Sequence, residues 1–181
     1  MPAFTLIRTE QIFRGRTFKL RRDTVQLPNG KETTLDIVDH VGSVVMVPVD
    51  ADGNIVFVRQ YRQPTGVELL ELPAGTRDGD EPPEVCAARE MREETGLAAG
   101  HLENLGAFYL APGYSNEYMY AFLATDLTPN PLPADADEFL KVERMSVREA
   151  MTLAEQGRLP DSKSLAALLL ARSSLYKYLM D

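Results

Sequence analysis

The stretch from Gly75 to Leu97, GTRDGDEPPEVCAAREMREETGL, constrains this chain more than any other. Pro82 and Pro83 fit the first turn of a helix, where their missing N–H groups leave nothing unpaired, and Gly96 stands where a helix commonly stops. A helix is therefore expected from Asp80 to Thr95. At ~100° per residue, Val85, Ala87, Ala88, Met91 and Thr95 mostly gather on one side. Glu90, Glu93 and Glu94 gather on the other, within an arc of about 100°. Like charges at that spacing cost ~0.2–0.5 kcal/mol per pair on an exposed helix, so something should offset them. Arg89 and Arg92 offset part; a hard divalent cation would do more, because Mg²⁺ prefers carboxylate oxygens. Taken alone, E-x-x-E-E is most simply a solvated acidic face with salt bridges. The wider spacing changes that reading.

The rest of the chain supplies strands before this helix and helices after it. FKLRRDTVQL and ETTLDIVDH flank Pro28-Asn29-Gly30-Lys31, a strong hairpin signal. SVVMVPVD is a β-branched run of the kind found in buried strands. After the turn at Asp50-Ala51-Asp52-Gly53 comes NIVFVRQYR, a second core strand, and Gly66 to Leu72 is a third. Further strands are expected at Leu105 to Leu110, Tyr118 to Ala124 and Phe139 to Arg144. Between the last two, Thr128 to Glu138 is rich in proline and acid and reads as a loop. Ser146 to Gln156 and Ser162 to Met180 have helical composition, separated by Pro160. This mixture indicates an α+β fold with helices on the sheet faces. A boundary near Val41 separates a small N-terminal hairpin from the main domain.

Read whole, the helix stretch matches G-x5-E-x7-R-E-U-x-E-E-x-G-U, with U bulky and apolar. Gly75, Glu81, Arg89, Glu90, Met91, Glu93, Glu94, Gly96 and Leu97 fill every fixed position. It resembles the Nudix box of the Nudix hydrolases. The resemblance implies the Nudix fold, an α/β/α sandwich around a mixed sheet, here with an N-terminal β-hairpin extension. It implies a hydrolase domain over residues 41–181 and a β arm over residues 1–40. It also implies hydrolysis of a nucleoside diphosphate linked to another group, with divalent metal held on the box helix.

Three features resemble the ADP-ribose pyrophosphatase branch. Pro112 lies fifteen residues after Leu97; RQYR, Arg59 to Arg62, precedes LELPAG, Leu70 to Gly75; and an extra β segment precedes the core, as in the homodimers of that branch. The resemblance implies Mg²⁺, or Mn²⁺ in its place, on Glu90, Glu93 and Glu94, with the backbone carbonyl of Ala74 as a further ligand. Such metals bridge phosphate oxygens and lower the pKa of a bound water. Arg89 is expected to orient these carboxylates. Arg62, at its strand end, is a candidate for a phosphate or ribose contact, and a surface ion pair weighs equally, since arginine serves both. Ser115 and Glu117, in the loop after Pro112, are candidates for the terminal ribose. In this branch the base often lies on an acidic loop beyond the box. Here Glu138 matches that position, Asp137 and Asp135 compete with it, and Glu93 is the next catalytic candidate. Thr76 and Arg77 depart from the branch, where a large apolar residue often follows the glycine. With no tryptophan present, any base stacking falls to groups such as Phe13, Phe18 or Tyr61.

Charge and cysteine content narrow the function classes. A net charge of −8 disfavours nucleic acid as main partner, because phosphate binding wants a basic surface. Cys86 is the only cysteine, so no internal disulfide forms and a reducing compartment fits. It reads as a small packed residue. No apolar run approaches the ~20 residues of a membrane helix, and none at the start has signal length. A cytoplasmic protein is expected, without membrane or nucleic-acid partners. The leading expectation is metal-dependent hydrolysis of ADP-ribose to AMP and ribose 5-phosphate by a homodimer. Another nucleoside diphosphate sugar, such as GDP-mannose or ADP-glucose, is the sibling reading. A Nudix-fold regulator that binds without cleaving is a different class, which the full carboxylate set disfavours. Isoprenoid diphosphate isomerisation needs a cysteine in a cleft, a poor match for Cys86.

Overall fold

A computed structural model describes residues 3–133 and 139–179. The chain forms two compact units. One comprises the chain up to Gly42 together with Phe108–Tyr118; the other comprises Ser43–Ala107 and the chain from Met119 onward.

In the first unit, β1 (Thr5–Arg14), β2 (Lys19–Gln26) and β3 (Glu32–Asp39) make an antiparallel sheet in that order. The Asn-Gly turn forms as its sequence dictates. Gly30 takes a positive φ of 81°, and Gln26 faces Glu32 across the turn. Arg22 binds both oxygens of Asp36 from the neighbouring strand, at 2.7 and 3.1 Å. The segment after Pro112 joins β3 edge-on: Val38 N–H donates to the Tyr114 carbonyl at 2.8 Å, and Asn116 N–H to the Val38 carbonyl at 3.2 Å. Every residue of β1 is exposed, including Leu6, Ile7, Ile12 and Phe13.

The second unit holds two sheets. The four-stranded sheet has the order β7 (Ala74–Thr76), β4 (Ser43–Pro48), β9 (Tyr118–Pro129), β8 (Leu97–Tyr109). It is mixed: β4 runs parallel to β9 and antiparallel to β7. The three-stranded sheet places β5 (Asn54–Arg62) between β10 (Lys141–Ser146) and β6 (Val67–Glu71), antiparallel throughout. Helix α1 (Pro83–Thr95) packs on β4 and β7, and α3 (Ser162–Leu175) also packs on β4. Helix α2 (Val147–Glu155) lies against β10, β5 and α3.

Strand β4 explains the layering. Its side chains alternate between faces. Val44 and Met46 join Cys86, Ala87 and Met91 of α1 in one core with Phe122 and Ala124. Val45 and Val47, on the other face, are equally buried. Burial on both faces is what an uninterrupted apolar run predicts.

Several expected boundaries change: β10 runs over 141–146 rather than 139–144, and α3 ends at Leu175. Strands β8 and β9 run over 97–109 and 118–129, well beyond the expected 105–110 and 118–124. The added residues of β8, Leu97 to Asn104, have no apolar alternation, and sheet pairing extends the strand without it. The three-residue β7 has no periodicity at all; its register against β4 defines it, with Ala74 opposite Val45 and Gly75 opposite Val44.

Candidate active site

Helix α1 starts after Pro82, with Pro83 in its first turn, and stops at Gly96, whose φ of 74° is the left-handed cap expected there. Its buried face differs from the expectation. Val85 is exposed, whereas Glu90 and Glu94 are only 7% exposed and share the sheet-facing side with Cys86, Ala87 and Met91. The carboxylates thus lie against β7 rather than opposite it.

Two backbone features of β7 make room for them. Gly75 sits so close to Glu90 that a Cβ there would lie 1.9 Å from the Glu90 Cδ. Only glycine permits that approach. One residue earlier, the Ala74 N–H donates to Glu94 Oε2 at 2.9 Å. Box glycine and box helix are therefore one packing unit.

Arg89 organises the remaining carboxylates. Its Nη1 donates to Glu90 Oε1 and Glu93 Oε2, each at 2.8 Å. Its Nε and Nη2 grip Glu81 at 3.1 and 2.9 Å, and Nη2 also reaches the Thr76 carbonyl at 3.3 Å. Hydrogen bonds from Arg89 hold the Glu81 carboxyl down at about 2, and the three carboxylates raise the Arg89 pKa further. Arg89 therefore orients the carboxylates, as expected from the sequence. Arg92 does not join it; that side chain binds the carbonyl and Oδ1 of Asn130 at 3.0 and 3.1 Å. Cys86 is fully buried, and burial pushes its thiol pKa far up, which suits a packing role.

The residues suit a hard cation by their chemistry. Glu90, Glu93 and Glu94 project carboxylate oxygens from one helix, and the missing Cβ at Gly75 lets Glu90 lie against the strand that carries Ala74. In the present arrangement Arg89 occupies Glu90 and Glu93, and no group of three or more metal-binding side chains among the described residues is set to hold an ion.

The other candidate residues lie on other elements. Arg62 ends β5 and binds Glu71 of β6 through two hydrogen bonds, 2.8 and 2.7 Å. Ser115 and Glu117 lie in the first unit, where Ser115 Oγ accepts from the Glu117 N–H at 3.1 Å and Glu117 lies 4.0 Å from His40. Phe13 and Phe18 form a tilted ring pair 6.5 Å apart in that same unit, and Tyr61 is half exposed. Glu138, Asp137 and Asp135 lie outside the described residues.

Sequence reasoning overlooked a second ionic cluster. Glu71, 1% exposed, takes Arg62 on one side and Lys163 of α3 on the other. Lys163 also binds Asp161 at 2.9 Å. Burial raises the Glu71 pKa, but the hydrogen bonds from Arg62 and Lys163 outweigh it and hold the group below the usual carboxylate range. The only hint in sequence was the acidic LEL of LELPAG; nothing marked Lys163 as its partner.

Comparison with known proteins gives the family. Residues 39–168 match the NUDIX domain, and residues 4–34 match the nucleoside diphosphate sugar hydrolase N-terminal domain. An ADP-ribose pyrophosphatase of Bacillus subtilis is 38% identical over 164 residues, 90% of this chain and 89% of that protein. Another, from Mycobacterium tuberculosis, is 46% identical over 125 residues, 68% of this chain and 60% of that protein. A solved structure described as an ADP compounds hydrolase superposes with a TM-score of 0.86 at 26% identity, covering 98% of this chain and 96% of its own.

Proposed function

The chain belongs to the Nudix hydrolase family, and from that premise we propose that it hydrolyses ADP-ribose to AMP and ribose 5-phosphate. The observation that carries this reading is the Gly75–α1 unit, in which a complete box folds into one carboxylate cluster gripped by Arg89. The ADP-ribose pyrophosphatases among its relatives support the choice of sugar nucleotide. GDP-mannose and ADP-glucose are the competing substrates. Turnover of a nucleoside diphosphate sugar panel, with products identified, tests the assignment; a clear preference for a GDP-sugar would overturn it.

Glu90, Glu93, Glu94 and the Ala74 carbonyl are the groups that would hold Mg²⁺, or Mn²⁺. When bound, the metal neutralises phosphate charge and makes water acidic enough to attack at neutral pH. The chain's own residues do the rest. Arg89 keeps two carboxylates turned to one side of α1. Arg62 presents its guanidinium edge to a phosphate or ribose oxygen. Glu138, in the acidic segment that precedes β10, accepts the proton of the attacking water, with Glu93 as the alternative base. Ser115 and Glu117 contact the terminal ribose.

The protein acts as a cytoplasmic homodimer in this reading. Residues 1–40 form the β arm and residues 41–181 the hydrolase domain. Support for pairing comes from β1, which exposes Leu6, Ile7, Ile12 and Phe13 along one strand. Sedimentation of an active monomer at assay concentration would overturn it. Among the described residues no helix is long and apolar enough to cross a membrane.

A further inference from the structure

The cluster around Glu71 is unusually costly for a place with no assigned task. A carboxylate 1% exposed and a lysine 9% exposed are held together inside the second unit. Replacing such a pair by apolar residues is often neutral or stabilising, so stability alone does not account for it.

Its connections point in one direction. Glu71 takes Nε and Nη2 of Arg62 through both of its oxygens, which fixes the guanidinium plane. Nη1 is not engaged by Glu71, and the Arg62 side chain remains 40% exposed. Helix α1 packs against β5, the strand that Arg62 ends, and the Glu71 hydrogen bonds first, then Glu94 with a smaller effect, raise the Arg62 pKa. On the far side, Lys163 supplies Glu71 with a second cation and is itself tied to Asp161. Asp161 caps α3 by accepting from the Ser164 N–H at 3.1 Å, and takes the Ser164 hydroxyl at 2.5 Å. Ser164 Oγ in turn accepts from the Leu72 N–H at 2.7 Å. The start of α3 thus grips Glu71 by side chain and Leu72 by backbone. Two residues further on, Ala74 donates to Glu94.

We propose that Lys163 is a positioning residue for substrate binding: from α3 it holds the Glu71 carboxylate, and Glu71 holds Arg62 with one guanidinium edge turned out beside the box helix. The ligand class for that edge is the phosphate or ribose oxygens of a nucleoside diphosphate. The inference rests on the reading of Arg62 as a substrate contact. Its physical content is that an arginine on an exposed strand end would otherwise sample many rotamers and lose that freedom on each binding event.

Three measurements on the full chain decide it. First, Lys163→Met should raise KM for ADP-ribose about ten-fold while kcat changes little, because the loss falls on binding. A merely structural lysine would lower kcat through a smaller folded fraction and leave KM alone, and that result would overturn the proposal. Second, the Arg62 Nε–H resonance should be sharp and slowly exchanging in the wild type and broaden in Lys163→Met; an unchanged resonance overturns it. Third, Glu71→Gln combined with Lys163→Met removes both buried charges, so no buried carboxylate is left with Arg62 as its one cation if the single variant fails to fold. It should show the same KM rise, and an unchanged KM there overturns the proposal. If the wild type hydrolyses no nucleoside diphosphate sugar, the substrate reading falls by itself, and the Arg62 resonance still decides what Lys163 does.

Discussion

Around Arg89, one guanidinium serves three carboxylates, those of Glu81, Glu90 and Glu93. Around Glu71, two cations, Arg62 and Lys163, serve two anions, Glu71 and Asp161. Both clusters sit in the same unit and pair an arginine with glutamate. The first carries an excess of negative charge on a partly accessible helix face; the second is balanced and largely buried. An unbalanced cluster stores repulsion that a cation from solution can relieve, whereas a balanced one needs nothing further. In the proposed reading the first cluster takes up a cation, and the second is a scaffold that presents Arg62.

The sharpest way to break this comparison is to ask whether the unbalanced cluster carries the chemistry by itself. If a separate base exists in the acidic segment before β10, Glu138→Gln keeps size and hydrogen-bonding reach but cannot accept a proton. Its kcat should fall ~10²–10⁴-fold with KM little changed. Asp135→Asn and Asp137→Asn should lose much less. Wild-type kcat in Glu138→Gln would move the base to Glu93, inside the cluster.

Next in size are changes within the cluster. Glu94→Gln weakens a hard-cation ligand, and activity should fall by about 10²-fold or more. Without metal the same variant should melt no lower than the wild type, because one of several neighbouring like charges is gone. Gly75→Ala attacks the same cluster through sterics. Its methyl cannot coexist with the Glu90 carboxylate 1.9 Å away, so Glu90 must shift, and a displacement of that order costs ~10²-fold in rate. An unchanged rate in either variant, or full turnover in excess EDTA, would refute the assignment.

The balanced cluster should answer with the opposite sign. Glu71→Gln leaves Lys163 buried with Asp161 alone, and breaking a buried pair from one side typically costs ~3–5 kcal/mol of stability. Urea unfolding measures it directly. A loss below about 1 kcal/mol would mean that water reaches Lys163 and that the cluster resembles a surface pair.

How much of this was legible follows from what each feature depends on. Box residues occupy one continuous helix, so their spacing already placed Glu90, Glu93 and Glu94 in one arc, and Arg89 was the natural cation among them. The hairpin at Gly30 and strand β5 over Asn54–Arg62 were equally local, set by turn chemistry and β-branched runs. What escaped was tertiary. Helical geometry put the glutamates opposite the apolar face, because nothing in α1 reveals that Gly75 opens a space for Glu90 on the buried side. The partnership of Glu71 with Lys163 joins residues 92 positions apart and leaves no periodic trace. Strand β8 ran longer than its pattern because its neighbour in the sheet, not its composition, supplies the order.

A third ionic group serves as the control, and it predicts the smallest effect. Glu143 of β10 takes Nε and Nη2 of Arg59 at 2.9 and 3.0 Å, and Lys141 at 3.1 Å. Hydrogen bonds from Arg59 first, then Lys141, hold its pKa at about 2. Two cations on one carboxylate make this group as strongly bonded as Glu71, yet its side chain is 26% exposed against 2% for Glu71. If burial rather than bond count sets the energy, Glu143→Gln should cost only ~0.2–1 kcal/mol at neutral pH, as exposed pairs do. The sign of the pH dependence follows from a depressed folded-state pKa. The stabilisation is complete above the unfolded value of 4.5 and is lost as pH falls toward about 2. Wild type and Glu143→Gln should therefore converge in stability over that window, and high salt should narrow their gap at pH 7. Urea titrations at pH 7, 4 and 2.5 test both. A gap near that of Glu71→Gln, insensitive to salt, would show that hydrogen-bond geometry dominates over burial and would remove the basis for contrasting the two inner clusters.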